Sequence, residues 1–411
     1  MHLNSSVLNL DNALSITFNQ IVYNLKRAGN TTLTLSLGEG FFDVPLYDFS
    51  VLDDHAIFHY SDTQGIPGLR KKISDHYNES YGSSVHPDWI TITAGSKAAI
   101  FFACMALLNQ DDEALLLEPA WLSYPAHVEM AKAKPVYVPY NVSVESLEDY
   151  ITDNTRMLIA CNPNNPGGFL YSKEDLTYIY NLCRKYNIVF LMDEAYSDFV
   201  IDDGFVSLAS VAKNMEGAIV VNSFSKNFGM SGWRLGYAIT DPGLVSTMVK
   251  LNQHIITCAP TILAQYVEYY FDKLVSISRP HVRKIVEKRA MVKKEMDRLG
   301  IDHMEGSATF YFFISTGQFR GSSVEFALNL LLKHNISVVP GSVYGQSTDD
   351  FVRISIGTES IEDITNGLEV IKNLQGNNAD TKNEIIELVK NCAAINEADT
   401  EYFVNILNGH K

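Results

Sequence analysis

Short apolar runs, each closing on a polar or glycine-containing turn and each followed by a stretch with helical spacing, recur through the middle of the chain. Residues 89–93, 114–117, 135–139, 157–160, 188–192, 219–221 and 235–239 read as strands on this pattern. Strands that alternate with helices predict an α/β fold built on a mostly parallel central sheet with helices on both faces. Ahead of this region come a helix-like stretch at 18–27 and a strand at 32–37. Behind it come a polar helical stretch at 281–299 and further apolar segments at 309–314 and 337–341. These flanking parts predict a second, smaller α/β domain.

The expected organisation is an N-terminal segment at 1–46 that belongs to the small domain, a large domain at 47–287, a small domain at 288–374 and a helical extension at 375–411. The extension opens on a polar linker, and its segments 384–390 and 400–407 are amphipathic. Packing on the body or on a partner subunit is the expectation for both. A chain of 411 residues with 46% hydrophobic content has material for a substantial core. A net charge of −16 argues against nucleic acid or an anionic membrane as the main partner. The five cysteines, Cys104, Cys161, Cys183, Cys258 and Cys392, form no Cys-x-x-Cys pair, and the histidines lack metal-ligand spacing. Reduced thiols, no metal and a cytoplasmic location are therefore expected. The first residues also lack a basic stretch followed by an apolar one, and no apolar run approaches the roughly 18 residues of a membrane helix.

The densest chemistry lies at Ser223-Phe-Ser-Lys226, with Arg234 eight residues after the lysine. The apolar run before it delivers these groups to a strand end, where α/β proteins build sites. A lysine able to shed its proton forms a Schiff base with an aldehyde, whereas the hydroxyls of Ser223 and Ser225 and the guanidinium of Arg234 suit a phosphate dianion. Pyridoxal phosphate carries both groups. Upstream, the run 187–192 closes on Asp193, and a carboxylate at a strand end can keep a pyridine nitrogen protonated. Gly95 and Ser96 follow a strand and open a helix, a geometry whose free N–H groups favour phosphate. Arg353 sits in a strand among apolar neighbours and needs an anion.

Together these segments resemble the fold-type I pyridoxal-phosphate enzymes, in particular the class I/II aminotransferases related to bacterial aspartate aminotransferases, across about residues 14–374. The resemblance implies that Lys226 carries the cofactor and shuttles the proton, that Asp193 faces the pyridine nitrogen, and that Tyr196 and Asn165 meet its phenolic oxygen. It implies that Trp121 stacks on the ring and that Tyr60 reaches the phosphate of a neighbouring subunit, hence a homodimer with shared sites. Arg353 and Gly38 are expected on the substrate α-carboxylate. Lys97 is expected on the distal carboxylate of aspartate or glutamate. The implied reaction moves an amino group from an acidic amino donor to a 2-oxo acid through aldimine, quinonoid and ketimine intermediates. Two positions depart from the family pattern: Gly40 replaces a proline, expected to loosen its loop, and Gly167 replaces a threonine. They leave room for a relative that cyclises, eliminates or oxidises its substrate, such as a guanidino amino acid enzyme. A regulator on an aminotransferase-like body would need a basic helix-turn-helix extension, and the first 45 or so residues are not basic.

Overall fold

The computed structural model describes residues 12–53, 55–201 and 204–409, with 3–4, 7 and 10 ahead of them. The chain forms two compact units. The first comprises Met1–Leu10, Phe42–Asn165 and Phe169–Arg283; the second comprises Asp11–Phe41, Pro166–Gly168 and Lys284–Lys411.

Strand β1 (Leu33–Thr34) belongs to the second unit. The first unit is organised by the next seven: β2 (Ile90–Thr93), β3 (Glu113–Leu117), β4 (Lys134–Val138), β5 (Thr155–Cys161), β6 (Val189–Asp193), β7 (Ala218–Ser223) and β8 (Gly236–Thr240). They form one sheet in the order β2-β8-β7-β6-β5-β3-β4, in which β8 runs antiparallel to both its neighbours and the other pairings are parallel. Strands β2, β7 and β8 are buried at every position. Burial on both faces is why β7 and β8 carry continuous apolar runs, whereas β2, Ile-Thr-Ile-Thr, buries its threonines as well. The fold class is α/β, as the strand and helix pattern predicted.

Register decides what the sheet presents at its edge. Cys161 pairs with Asp193, Asp193 with Val221, and both Thr93 and Ser223 with Gly236. The ends of β5, β6 and β7, the end of β2 and the start of β8 are therefore level, along the carboxyl edge where sheets of this kind bind ligands.

The helix expected at 281–299 begins earlier, for one helix spans Thr261–Leu299 with Pro280 inside it. Its first half buries Tyr266, Val267, Tyr270, Phe271 and Leu274, an apolar face at helical spacing. The polar spacing at 281–299 marks only the second half of this helix. Among the described residues no helix is long and apolar enough to cross a membrane.

In the second unit, β9 (Tyr311–Ser315), β10 (Ile336–Ser337), β11 (Val339–Pro340) and β12 (Phe351–Ser355) follow. An antiparallel sheet β11-β12-β9 packs Phe313, Val339 and Tyr344 together, and β1 pairs parallel with β10. Helices Lys382–Asn391 and Glu397–Leu407 contain the two amphipathic segments of the extension, with Ile385, Val389 and Phe403 buried.

Candidate active site

At the end of β2, Gly95 leads directly into helix Ser96–Leu107. Its φ is +85°, a conformation that favours glycine, and a Cβ there would lie 2.4 Å from the Arg234 guanidinium, which would have to move aside. Gly236 is equally constrained, since a Cβ would lie 2.5 Å from the Ser96 nitrogen. Arg234 itself adopts the left-handed conformation, at φ 53°, and its Nη1 donates to the Ser231 carbonyl at 2.8 Å and to Ser225 Oγ at 3.5 Å. A helix N-terminus, a hydroxyl and an exposed guanidinium thus gather in one place. That combination suits a phosphate.

Ser223 is buried, and its hydroxyl accepts from the Ser225 N–H at 3.4 Å, capping the short helix Phe224–Asn227 that presents the half-buried Lys226. Behind this turn lies a polar network that sequence reading missed. Asn227 Nδ2 donates to Ser197 Oγ at 2.9 Å, Asn222 Nδ2 donates to Ser197 Oγ at 3.2 Å and to Tyr77 Oη at 3.0 Å, and Glu194 accepts from Ser207 Oγ, from the Leu208 N–H and from Tyr77 Oη. Burial pushes Glu194 up to about 8 even though these donors pull it down. The members come from residues far apart in the chain, so no local spacing announces them.

Asp193 closes β6, is buried, and accepts from Tyr124 Oη at 2.9 Å and from the Ala195 N–H at 3.1 Å. Burial raises its pKa to about 6, with both hydrogen bonds acting in the opposite direction. A cation placed against it would restore the charged form. Tyr124 was not singled out from sequence, although it lies one helical turn from Trp121. The half-buried Trp121 ring stands edge-on to Tyr124 at 5.4 Å, and the Lys97 ammonium lies 4.9 Å from the centroid of its indole. Partial desolvation, and then the Arg234 charge, lower the Lys97 pKa. Beside them the buried His127 is pushed down to about 4, by burial and then by Lys97, and is neutral at pH 7. Asn165 Nδ2 donates to Tyr196 Oη at 3.1 Å, so two residues expected on one ligand oxygen already touch. Tyr60 is 84% exposed.

In the second unit Arg353 is buried on β12, its Nη2 donating to the Ser36 carbonyl at 2.7 Å and its guanidinium lying 4.5 Å from the Tyr311 ring and 5.6 Å from that of Tyr344. A Cβ on Gly38 would stand 3.0 Å from Tyr311 Oη and 3.7 Å from Arg353 Nη2, which explains the glycine. Neither tyrosine was identified from sequence. Both departures lie in closely packed segments. Gly40 is buried, and a Cβ on Gly357 would come within 1.8 Å of the Glu39 carbonyl and 3.1 Å of Gly40 Cα, so the segment is tightly packed. Gly167 lies against Gly306, whose Cβ would fall 2.4 Å from the Gly167 carbonyl, while the Ala308 N–H donates to the Gly168 carbonyl at 2.8 Å.

The sheet, its level carboxyl edge and the groups gathered there define a fold-type I transferase. The chain belongs to the aminotransferase class I and II family, whose profile matches residues 25–371. It is 30% identical over 361 residues to an aspartate aminotransferase of Thermotoga maritima, covering 85% of this chain and 92% of that one. It is 31% identical over 370 residues to aromatic-amino-acid aminotransferase 2 of Thermococcus litoralis, covering 85% and 94%. A solved aspartate aminotransferase of Thermus thermophilus, determined with maleate, matches with a TM-score of 0.83 at 26% identity, over 91% of this chain and all of its own. The chain is an enzyme of the aspartate aminotransferase-like type.

Proposed function

We propose that this chain is a pyridoxal-phosphate-dependent aminotransferase that takes the amino group of glutamate or aspartate and passes it to a 2-oxo acid. The observation that carries this reading is the phosphate-suited cradle of Gly95, Ser96, Ser225 and Arg234 in the unit that also presents Lys226 and the buried Asp193. The residues fit the cofactor, because the helix N-terminus at Ser96, the Ser225 hydroxyl and the exposed Arg234 guanidinium supply donors of the kind a phosphate needs. When bound, the cofactor supplies an aldehyde for an amine and a cationic ring that withdraws electrons from the substrate Cα.

The chain's own groups do the rest. The Lys226 amine would hold the cofactor at its aldehyde carbon and would carry the proton at the substrate Cα. Asp193 would be recharged by a cationic ring nitrogen and would keep that nitrogen protonated. Asn165 and Tyr196 would donate to the phenolic oxygen, and Trp121 would cover a ring face and exclude water. Arg353 takes the α-carboxylate in a two-point grip, which only a planar guanidinium provides, and Gly38 lets the backbone approach the same group. Lys97 takes the distal carboxylate. The exposed Tyr60, beside Phe58 at 82% exposure, supports a homodimer in which Tyr60 reaches the partner's phosphate group. A cytoplasmic location is part of the same proposal.

Lys97→Ala separates an acidic-donor site from a general one. The variant is expected to keep its cofactor while kcat/KM for glutamate and aspartate falls by about 1.5–3 kcal/mol, the range of a charge-assisted hydrogen bond, with alanine nearly unaffected. Arg353→Ala is expected to weaken all three amino acids, which share the α-carboxylate. Half-reaction rates with the three donors decide the matter. Equal losses for all three in Lys97→Ala would mean that the lysine is structural or serves the phosphate, and the acidic-donor assignment would fall.

A further inference from the structure

Arg353 stands at one end of a hydrogen-bonded line that leads to both ends of the chain, within the second unit. The extended segment 33–36 is held on two sides. The Leu33 N–H donates to the Asn335 carbonyl at 2.9 Å, and the Leu35 carbonyl accepts from the Ser355 N–H at 2.7 Å, two residues from Arg353 on β12. Ser36 follows, fully buried, and uses both its polar groups. Its carbonyl accepts from Arg353 Nη2 at 2.7 Å. Its hydroxyl donates to Asn19 Oδ1 at 2.6 Å and accepts from Ser337 Oγ at 2.7 Å.

Asn19 lies on helix Leu14–Arg27, which buries Leu14, Phe18, Ile21 and Val22. The last helix, Glu397–Leu407, and the turn before it pack behind that helix: Phe18 and Phe403 meet edge to face at 5.6 Å, and Asn24 Nδ2 donates to the Ala394 carbonyl at 2.9 Å, while Lys382–Asn391 packs on the last helix. Both the asparagine and the tail lie outside residues 25–371, the part that matches the family.

We propose that Asn19 is a positioning residue for the Arg353 guanidinium, acting through Ser36, and that the two C-terminal helices are the brace that holds it in place. The inference rests on the reading of Arg353 as the α-carboxylate ligand. A two-point grip on a carboxylate depends on the angle of the guanidinium plane, which the Ser36 carbonyl sets from one side. Without an acceptor at Asn19 the O–H of the buried Ser36 loses the group it donates to, although Ser337 still donates to its oxygen, and Ser36 must shift to find another acceptor. The α-carboxylate is unchanged through the reaction, so the loss falls on ground state and transition state alike. Affinity suffers while turnover stays.

The test uses the full-length holoenzyme. Asn19→Leu is expected to raise KM about three- to tenfold for glutamate and alanine alike, the effect of one neutral hydrogen bond, with kcat within about twofold. The same factor should appear in the calorimetric Kd of succinate, a carboxylate that does not react. Asn19→Asp keeps the acceptor oxygen and should restore both values. Phe403→Leu, which loosens the brace, should raise KM in the same direction and add little to Asn19→Leu in the double variant. An unchanged KM and Kd in Asn19→Leu, a fall confined to kcat, or failure of Asn19→Asp to recover would each overturn the positioning role. Additive effects in the double variant would overturn the brace. Arg353→Ala is the control: if it leaves KM unaltered, the carboxylate reading itself fails, whereas a large rise beside an unaffected Asn19→Leu overturns only the present inference.

Discussion

Lys226→Ala is expected to abolish turnover, with a loss on the order of 10⁴-fold or more, and to remove the visible absorption of the bound cofactor's imine. The lysine sits in a four-residue helix capped by Ser223 and backed by the Asn222, Asn227 and Ser197 network, so its amine is presented from a fixed turn. The other amine in these motifs, Lys97, stands on a different helix with its ammonium against the Trp121 ring. It is not placed to replace both the covalent link and the proton transfer. Absorbance and steady-state rates of the purified variant check this. Turnover within about tenfold of wild type would remove Lys226 from the mechanism.

Asp193→Ala should cost about 10³-fold or more in kcat, with weakened cofactor retention. The cause is electrostatic. A fully buried carboxylate, raised to about 6 by its surroundings, is costly to keep charged, and the structure supports it with two hydrogen bonds, from Tyr124 and Ala195. Such an expense is offset when a permanent cation lies opposite, and the pyridinium is that cation in our reading. Asp193→Asn separates charge from shape: it fills the same space beside Tyr124 and should be nearly as impaired as Asp193→Ala. An Asn variant with an undiminished rate would show that the carboxylate is only a structural member of β6.

The large sheet was legible because its strands are short, buried and bounded by turn residues. The motifs were legible because the groups they contain sit within a few residues of a strand end. Asp193 and Ser223 are the last residues of β6 and β7, and Gly95 follows β2 by two. What stayed hidden depends on long-range contact. Tyr124 reaches Asp193 across 69 residues, and Arg353 reaches Ser36 across 317. Tyr311 and Tyr344 carry no local signal of a role, and only the folded second unit brings them to the Arg353 guanidinium. The start of the long helix at Thr261 was missed for a different reason. Its first half is apolar enough to resemble the neighbouring core, whereas the polar second half stands out.

The central claim is that the amino group stays with the enzyme between two oxo acids. Mixing holoenzyme with glutamate in the absence of any acceptor, and counting 2-oxoglutarate and ammonia per bound cofactor, tests it most directly. One equivalent of 2-oxoglutarate with no ammonia, followed by uptake of the amino group by an added 2-oxo acid, is the expected result. Ammonia release, or continuous consumption of the amino acid without an acceptor, would contradict it.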